Sequence, residues 1–406
     1  MPPLTDRAKF ERRLAAILLG ILAVLAGIGF LLYSDPSPQS NPLVFSPVQV
    51  LASSWYRYKD AYIDSTYRTI DWQRDGVTTS EGQSYTMLRS VWQADRETFD
   101  GTWQWTQTNL QHSSDHLFSW IWGERPDGTF GVLAEQSGEN SASDADTDIA
   151  LALILAYARW QDPAYLTEAR LVINDIWERE VVLVNGKPYL AANDVEKDSG
   201  SQQIVINPSY FNPAAYHLFA IVDTSHPWEM LRKQSYAVLS ESFAGSALPP
   251  NWISVDRTTG ATSAAASHDS NFGFDALRIP FRIALDAQWF NNPDAIRAVR
   301  HLSFLSNAWR ERGAIASTYA QDGAVLASEE SPAMYGGVMG YFLLADPEAA
   351  VALYREKLLS LYNSNTGTWY TPLPYYADNW AWFGIALYNR LLPNLAANLP
   401  ATAFSE

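Results

Sequence analysis

Residues 157–170 read YARWQDPAYLTEAR, a helix-to-helix turn spelled out in residue types. Asp162 suits a helix N-cap, because its side-chain oxygen can accept from an orphan backbone N–H. Pro163 suits the first helical position, where no N–H is needed. The pattern recurs as DAQWFNNPDAIRAVR from Asp286 and YFLLADPEAAVALYREK from Tyr341, and VWQADRETFDGTW from Val91 repeats it with Arg in place of Pro. Each unit is an apolar helix, a tight turn and a more amphipathic return helix. From Ser46 onward β-branched alternation is scarce, and helix starts are expected near 46, 80, 96, 146, 163, 211, 227, 271, 293, 332, 347 and 378. The irregular spacing argues against a short-period solenoid. The expectation is one all-α domain of about six hairpins closed into a ring, apolar helices inside, rather than two separate bundles. Segments 112–145 and 182–210 would then lie at one rim, where loops carry function.

The 406 residues include 16 Trp, 21 Tyr and 17 Phe, an aromatic content that fills cores and also lines grooves for flat ligands such as sugar rings. The formal charge is −16, and no Lys/Arg run occurs outside the extreme N-terminus, so a nucleic-acid partner is set aside. There is no cysteine, which excludes disulfides, thiolate metal sites and a Cys nucleophile. The six histidines lack H-x-H and H-E-x-x-H spacing, and no phosphate-cradling glycine motif occurs. Neither a metal nor a cofactor is expected.

The uncharged run Leu14–Tyr33 follows Arg7, Lys9, Arg12 and Arg13. About 20 apolar residues span a hydrocarbon core of ~30 Å, and the preceding charges keep a short tail, 1–13, in the cytoplasm. The expectation is an uncleaved anchor, with the domain outside the membrane in the periplasm or at the cell surface; a cleaved leader would deliver it to the same side. Residues 34–46 are a Pro- and Ser-rich tether, 47–395 the folded domain and 396–406 a tail.

Three acidic clusters stand at helix starts. Ser80-Glu81-Gly82-Gln83 has the form of a capping box, with Glu81 complementing the helix dipole or carrying chemistry. Asp144, Asp146 and Asp148 open the almost wholly apolar helix of SASDADTDIALALILAYARW. One Asp suffices as a cap; three crowd like charges unless they bind something or share protons. Calcium would suit D-x-D-x-D, but the glycine and distal Glu of an EF-hand loop are missing. Asp275 precedes Arg278 and Arg282 at helical spacing, which makes an Asp–Arg network natural, and Pro280 puts Asp275 at or before the helix start. Paired carboxylates in an aromatic-rich chain suit glycoside hydrolysis, which needs one acid for the leaving oxygen and a second carboxylate at the anomeric centre.

SEGQSYTMLRSVWQADRETFDGTWQWTQTNL from Ser80, SASDADTDIALALILAYARW from Ser141, INPSYFNP from Ile206, GFDALRIPFR from Gly273 and YYADNWAWFGIAL from Tyr375 resemble glycoside hydrolase family 8. The matches run in order from about 50 to 392, and Ala142–Trp160 fits the family signature at every fixed position. The resemblance implies an (α/α)6 barrel and an endo-acting, inverting hydrolase of β-1,4-glucan. Some members accompany the cellulose-synthesis machinery, an expected partner here. By motif, Glu81 matches the general acid, Asp275 the general base, Asp144 the residue that holds and distorts the sugar, and Tyr210 a tyrosine positioning the attacking water. Asp146, Trp120, Trp122, Arg278, Arg282, Tyr375 and Trp380 are expected against the substrate. The chain departs from the family in Ser84-Tyr85-Thr86 and in RIPFR, where Phe281 replaces a Trp and removes an indole donor. Chitosan, xylan or mixed-linkage glucan are alternative substrates, and a non-catalytic glucan-binding subunit is the alternative outside the enzyme class.

Overall fold

In the computed structural model, residues 46–242, 247–266, 268–399 and 401–404 are described. They contain fourteen α-helices: α1 Pro47–Tyr62, α2 Ser80–Gln93, α3 Arg96–Asn109, α4 Ser143–Trp160, α5 Pro163–Glu180, α6 Asp194–Asp198, α7 Pro213–Val222, α8 Trp228–Ser242, α9 Arg278–Phe290, α10 Pro293–Val299, α11 Phe304–Arg312, α12 Pro332–Ala345, α13 Pro347–Leu353 and α14 Tyr375–Tyr388. The predicted anchor, Leu14–Tyr33, lies outside the described residues. Among the described residues no helix is long and apolar enough to cross a membrane.

Helices α2, α4, α7, α9, α12 and α14 form an inner ring, each packed on the next, and α3, α5, α8, α10, α13 and α1 back them in turn from outside. The division follows composition. In α4 every residue from Ser143 to Ala156 is buried, whereas α5 buries one stripe. Between α14 and α2 the ring closes through Tyr85 against Trp380 and Phe383, at 5.8 and 5.5 Å. Arg89, fully buried there, pairs with Asp378 at 3.0 Å and lies over the Tyr58 ring at 4.1 Å. Gly336 and Gly340 let α12 sit against its neighbours. A Cβ would meet the Trp380 carbonyl at 1.9 Å from Gly336 and the Pro280 carbonyl at 2.1 Å from Gly340.

The two ends of the barrel differ. Most inner-to-outer turns are one or two residues and carry the predicted chemistry: Asp95, Asp162, Asn292 and Asp346 accept from Thr98, Ala164, Asp294 and Ala349 N–H groups. Each such cap stabilises by about 1 kcal/mol. Outer-to-inner connections are long and hold the strands. β1 Thr78–Thr79, β2 Ile121–Glu124 and β3 Phe130–Val132 form one antiparallel sheet. β4 Val181–Val184 and β5 Lys187–Leu190 form a hairpin, and β6 Gln203–Ile206, β7 Ile253–Asp256 and β8 Thr262–Ala264 a second sheet. All these segments lead into inner-helix N-termini, so that rim gathers the orphan N–H ends and the long loops. The tail expected after 395 is not detached: Phe404 is buried and packs edge-on against Tyr157 at 5.9 Å.

Candidate active site

Glu81 enters the site on the first turn of α2. Thr79, not Ser80, is the N-cap, its Oγ1 accepting from Gly82 N at 3.0 Å. The expected capping box is not formed, because pairing of β1 with β2 fixes the chain entering the helix. Ser80 N donates to Trp120 O, while Gln83 accepts from Thr69 N at 2.7 Å and donates to Thr106 Oγ1 at 3.0 Å. Ser80 and Gln83 therefore serve the wall of the barrel, and Glu81 is left to face the rim.

None of the three aspartates of α4 caps it; the Ala142 carbonyl and a bond from Ser143 N to Ala192 O start the helix. Each carboxylate instead takes a tertiary partner. Asp144 bonds Arg278 at 2.8 Å, Asp148 bonds Arg282 with both oxygens at 2.8 and 2.9 Å, and Asp146 accepts from Phe118 N at 3.0 Å. With both pairs at i and i+4, α4 and α9 are joined by two rungs of opposite charge.

Asp275 lies in the turn before α9, as expected. Asn251 Oδ1 fixes that turn by accepting from Gly273 N at 3.1 Å and Ala276 N at 2.9 Å. Asp275 Oδ1 accepts from Arg278 Nη2 at 2.6 Å and Oδ2 from the Trp252 indole at 3.1 Å.

Arg278 is the hub. Its Nη1 reaches Glu81 Oε2 and Asp144 Oδ2, both at 2.8 Å, its Nη2 reaches Asp275, its Nε reaches Ser209 Oγ at 3.1 Å, and its guanidinium lies over the Tyr210 ring at 5.1 Å. A planar fork of five donors can do this where an ammonium could not. The Glu81 and Asp275 oxygens sit on different nitrogens of that fork, which bounds their separation at about 8 Å. The Tyr375 hydroxyl donates to Glu81 Oε1 at 2.7 Å.

Burial is the main force raising the Glu81 carboxyl above its ordinary value; Arg278 opposes it, Asp144 and Asp275 add to it, and the Tyr375 bond opposes it. Asp144 is raised too, by burial, with Arg278 and Arg282 opposing. Glu81 and Asp275 line an open cleft of about 460 Å³ with Arg74, Phe274, Tyr375 and Tyr376. Two further hollows, about 500 Å³ beside Trp289 and Arg390 and about 620 Å³ beside the β2–β3 hairpin, contain none of these carboxylates.

The structure thus brings Glu81, Asp144, Asp275, Arg278, Tyr210 and Tyr375 together. Asp146, Arg282 and Trp380 do not reach the cleft. Asp146 is fully enclosed, Arg282 is spent on Asp148, and Trp380 packs among Tyr85, Phe281 and Phe383. Trp122 is covered by Arg68 on one side and stacks on Phe130 at 5.4 Å, while Trp120 lies under Arg74 with its indole bonded to Ser137 O. Trp252, Asn251 and Ser209 also belong to the site; the LPPNW loop that carries the first two has no periodic signal, and the partners of all three are distant in the chain.

Three carboxylates gather around one guanidinium and face an open cleft on a double ring of helices, an arrangement with the groups that glycoside hydrolysis requires. The amino-acid sequence matches the family described as Glycosyl hydrolases family 8 over residues 32–345, and the chain belongs to that family. It is 31% identical to a probable endoglucanase of Novacetimonas hansenii over 272 residues, covering 64% of this chain and 71% of the relative. With an endoglucanase of Cellulomonas uda it shares 32% over 234 residues, covering 57% and 63%. Its fold is similar to that of an endo-beta-1,4-glucanase from Acetobacter xylinum, with TM-score 0.68, 24% identity and coverage of 86% and 99% of the two chains. An endo-1,4-D-glucanase from Vibrio fischeri gives TM-score 0.70 at 23% identity, with coverage of 82% and 94%.

Proposed function

We propose that this chain hydrolyses β-1,4-glucan chains internally, with inversion, using Glu81 as general acid and Asp275 as general base. The observation that carries this reading is Arg278, which gathers Glu81, Asp144 and Asp275 from three separate helix starts at one open cleft. Glu81 protonates the leaving glycosidic oxygen. Its burial, reinforced by the charges of Asp144 and Asp275, favours the neutral form the step requires, against the pull of Arg278. Asp275, a third exposed, takes a proton from a water attacking the opposite face of the sugar. Inverting enzymes hold their carboxyls about 6.5–9.5 Å apart, against ~5–5.5 Å in retaining ones, and the upper bound of about 8 Å is compatible with both spacings. Asp144 holds the sugar at the cleavage point, and Tyr210, beside Arg278, orients the water. The relatives' names, endoglucanase in both sequence matches, favour glucan over xylan or chitosan.

The run Leu14–Tyr33, with Arg7, Lys9, Arg12 and Arg13 before it, supports a membrane anchor holding the domain outside the cytoplasm. A cellulose-synthesis machinery in the same membrane is the partner such an arrangement would serve.

The test is sugar release from carboxymethyl-cellulose, barley glucan, xylan and chitosan by the wild type and by Glu81→Gln. The account expects the two glucans to be cut, and the variant to melt near the wild type while losing about a thousandfold in kcat. A variant as active as the wild type would leave Glu81 a helix-dipole partner only.

A further inference from the structure

A second carboxylate cluster lies in the barrel wall, away from the cleft. Asp146, on the first turn of α4, and Glu180, the last residue of α5, are both 0% exposed. One oxygen of each is engaged: Asp146 Oδ1 accepts from Phe118 N at 3.0 Å, and Glu180 Oε1 from Ser141 Oγ at 2.5 Å. The other two, Asp146 Oδ2 and Glu180 Oε2, are buried without a donor, and the two side chains are within hydrogen-bonding reach of each other. The groups that face the pair are Asp194 from α6, Asp144 from α4 and the Tyr216 hydroxyl from α7, none of them a cation. Two bare carboxylates in such a place would each leave a charge unsolvated and an acceptor unpaired.

We propose that Asp146 and Glu180 share one proton and through it position the segments that carry Glu81 and Asp144. One proton between the two orphan oxygens satisfies both and removes one of the two buried charges. The mechanical link is short. Phe118 N rests on Asp146, and two residues on, Trp120 O accepts from Ser80 N at 3.1 Å, the residue before Glu81. Ser141, which donates to Glu180, also accepts from Asp194 N at 2.9 Å and leads directly into α4, which starts two residues on at Ser143 and carries Asp144 at its second position. The pair therefore ties both catalytic helix starts to the outer helix α5. Glu180 and Asp146 act as positioning residues and do not touch substrate.

Burial, the largest influence, pushes both carboxyls up, Glu180 to about 8. A carboxyl whose folded value lies above its unfolded one contributes stability that is full below the unfolded value, and loses it as pH rises towards the folded value. The window here runs from about 4.3, the ordinary glutamate value, to about 8.

Glu180→Gln tests this, because its amide N–H replaces the proton at every pH while its oxygen still accepts from Ser141. Melting temperatures are measured between about pH 5 and pH 9. The difference between Glu180→Gln and wild type should rise by several degrees across that range; a difference independent of pH overturns the shared proton. Asp146→Asn places the amide on the opposite side and must behave alike. If neither variant folds near pH 6, the proposal also fails. The effect on turnover rests on the roles proposed for Glu81 and Asp144, whereas the effect on stability does not. On carboxymethyl-cellulose, Glu180→Ala should lose about tenfold in kcat with KM little changed, and Glu180→Gln should recover most of it. Full turnover in folded Glu180→Ala overturns the positioning role even where the melting difference is present.

Discussion

Replacing Arg278 by Met removes one cation from among three carboxylates, and the structure sets the size of the effect. Asp144 is almost fully desolvated, with 4% of its side chain exposed, while Glu81 and Asp275 are exposed by 25% and 32%. Breaking a fully buried ion pair costs about 3–5 kcal/mol, because the remaining charge is left uncompensated. Water screens two of the three contacts here and Arg282 still faces Asp144, so the lower end, about 3 kcal/mol near neutral pH, is expected. For a folded unit of this size that corresponds to a fall of about 4 °C in Tm. The penalty must depend on pH. Arg278 holds the Glu81 and Asp144 carboxyls down; without it both rise further above their unfolded values. Stability of the variant is then retained at low pH, where the carboxyls are neutral, and lost as pH rises through their folded values. Thermal melts of both proteins at about pH 5 and pH 7.5 measure this directly. An Arg278→Met penalty equal at the two values, or below about 1 kcal/mol at the higher, would refute the view that one guanidinium balances the cluster.

Two other substitutions probe separate parts of the account. Trp252→Phe keeps a ring of similar shape but removes the donor to Asp275 Oδ2, the proposed base, so kcat should fall about tenfold with KM within about twofold; unchanged kcat would show that the indole does not position Asp275 for catalysis. Gly336→Ala places a methyl group 1.9 Å from the Trp380 carbonyl, and should cost about 3 kcal/mol in a urea melt, since α12 has to move off α14.

The helical hairpins were legible because their turns are local. Asp162 and Pro163, or Asp346 and Pro347, decide a helix start within a few residues, and they do so in the structure. The three aspartates of α4 were legible as a set, but their partners were not. Arg278 and Arg282 lie 134 residues away from Asp144 and Asp148, and Glu180, the companion of Asp146, sits at the end of another helix. Ser80 and Gln83 misled for a physical reason. The Gln83 amide that would suit a capping box also suits tertiary hydrogen bonds, which it makes, while the β1–β2 pairing, invisible in two threonines, leads the chain so that Ser80 is held by its backbone N–H rather than its hydroxyl. Asp275 and Arg278, three residues apart, could be read together; the Trp252 and Asn251 that fix Asp275 could not.

The central claim is that water is delivered by Asp275 to the face opposite Glu81, and the configuration of the first product tests it most directly. Proton NMR of a cello-oligosaccharide digest, recorded before mutarotation, should show the α anomer appearing first. An initial β anomer would contradict the account, because it would require a covalent intermediate and a closer carboxyl pair than this site is proposed to hold.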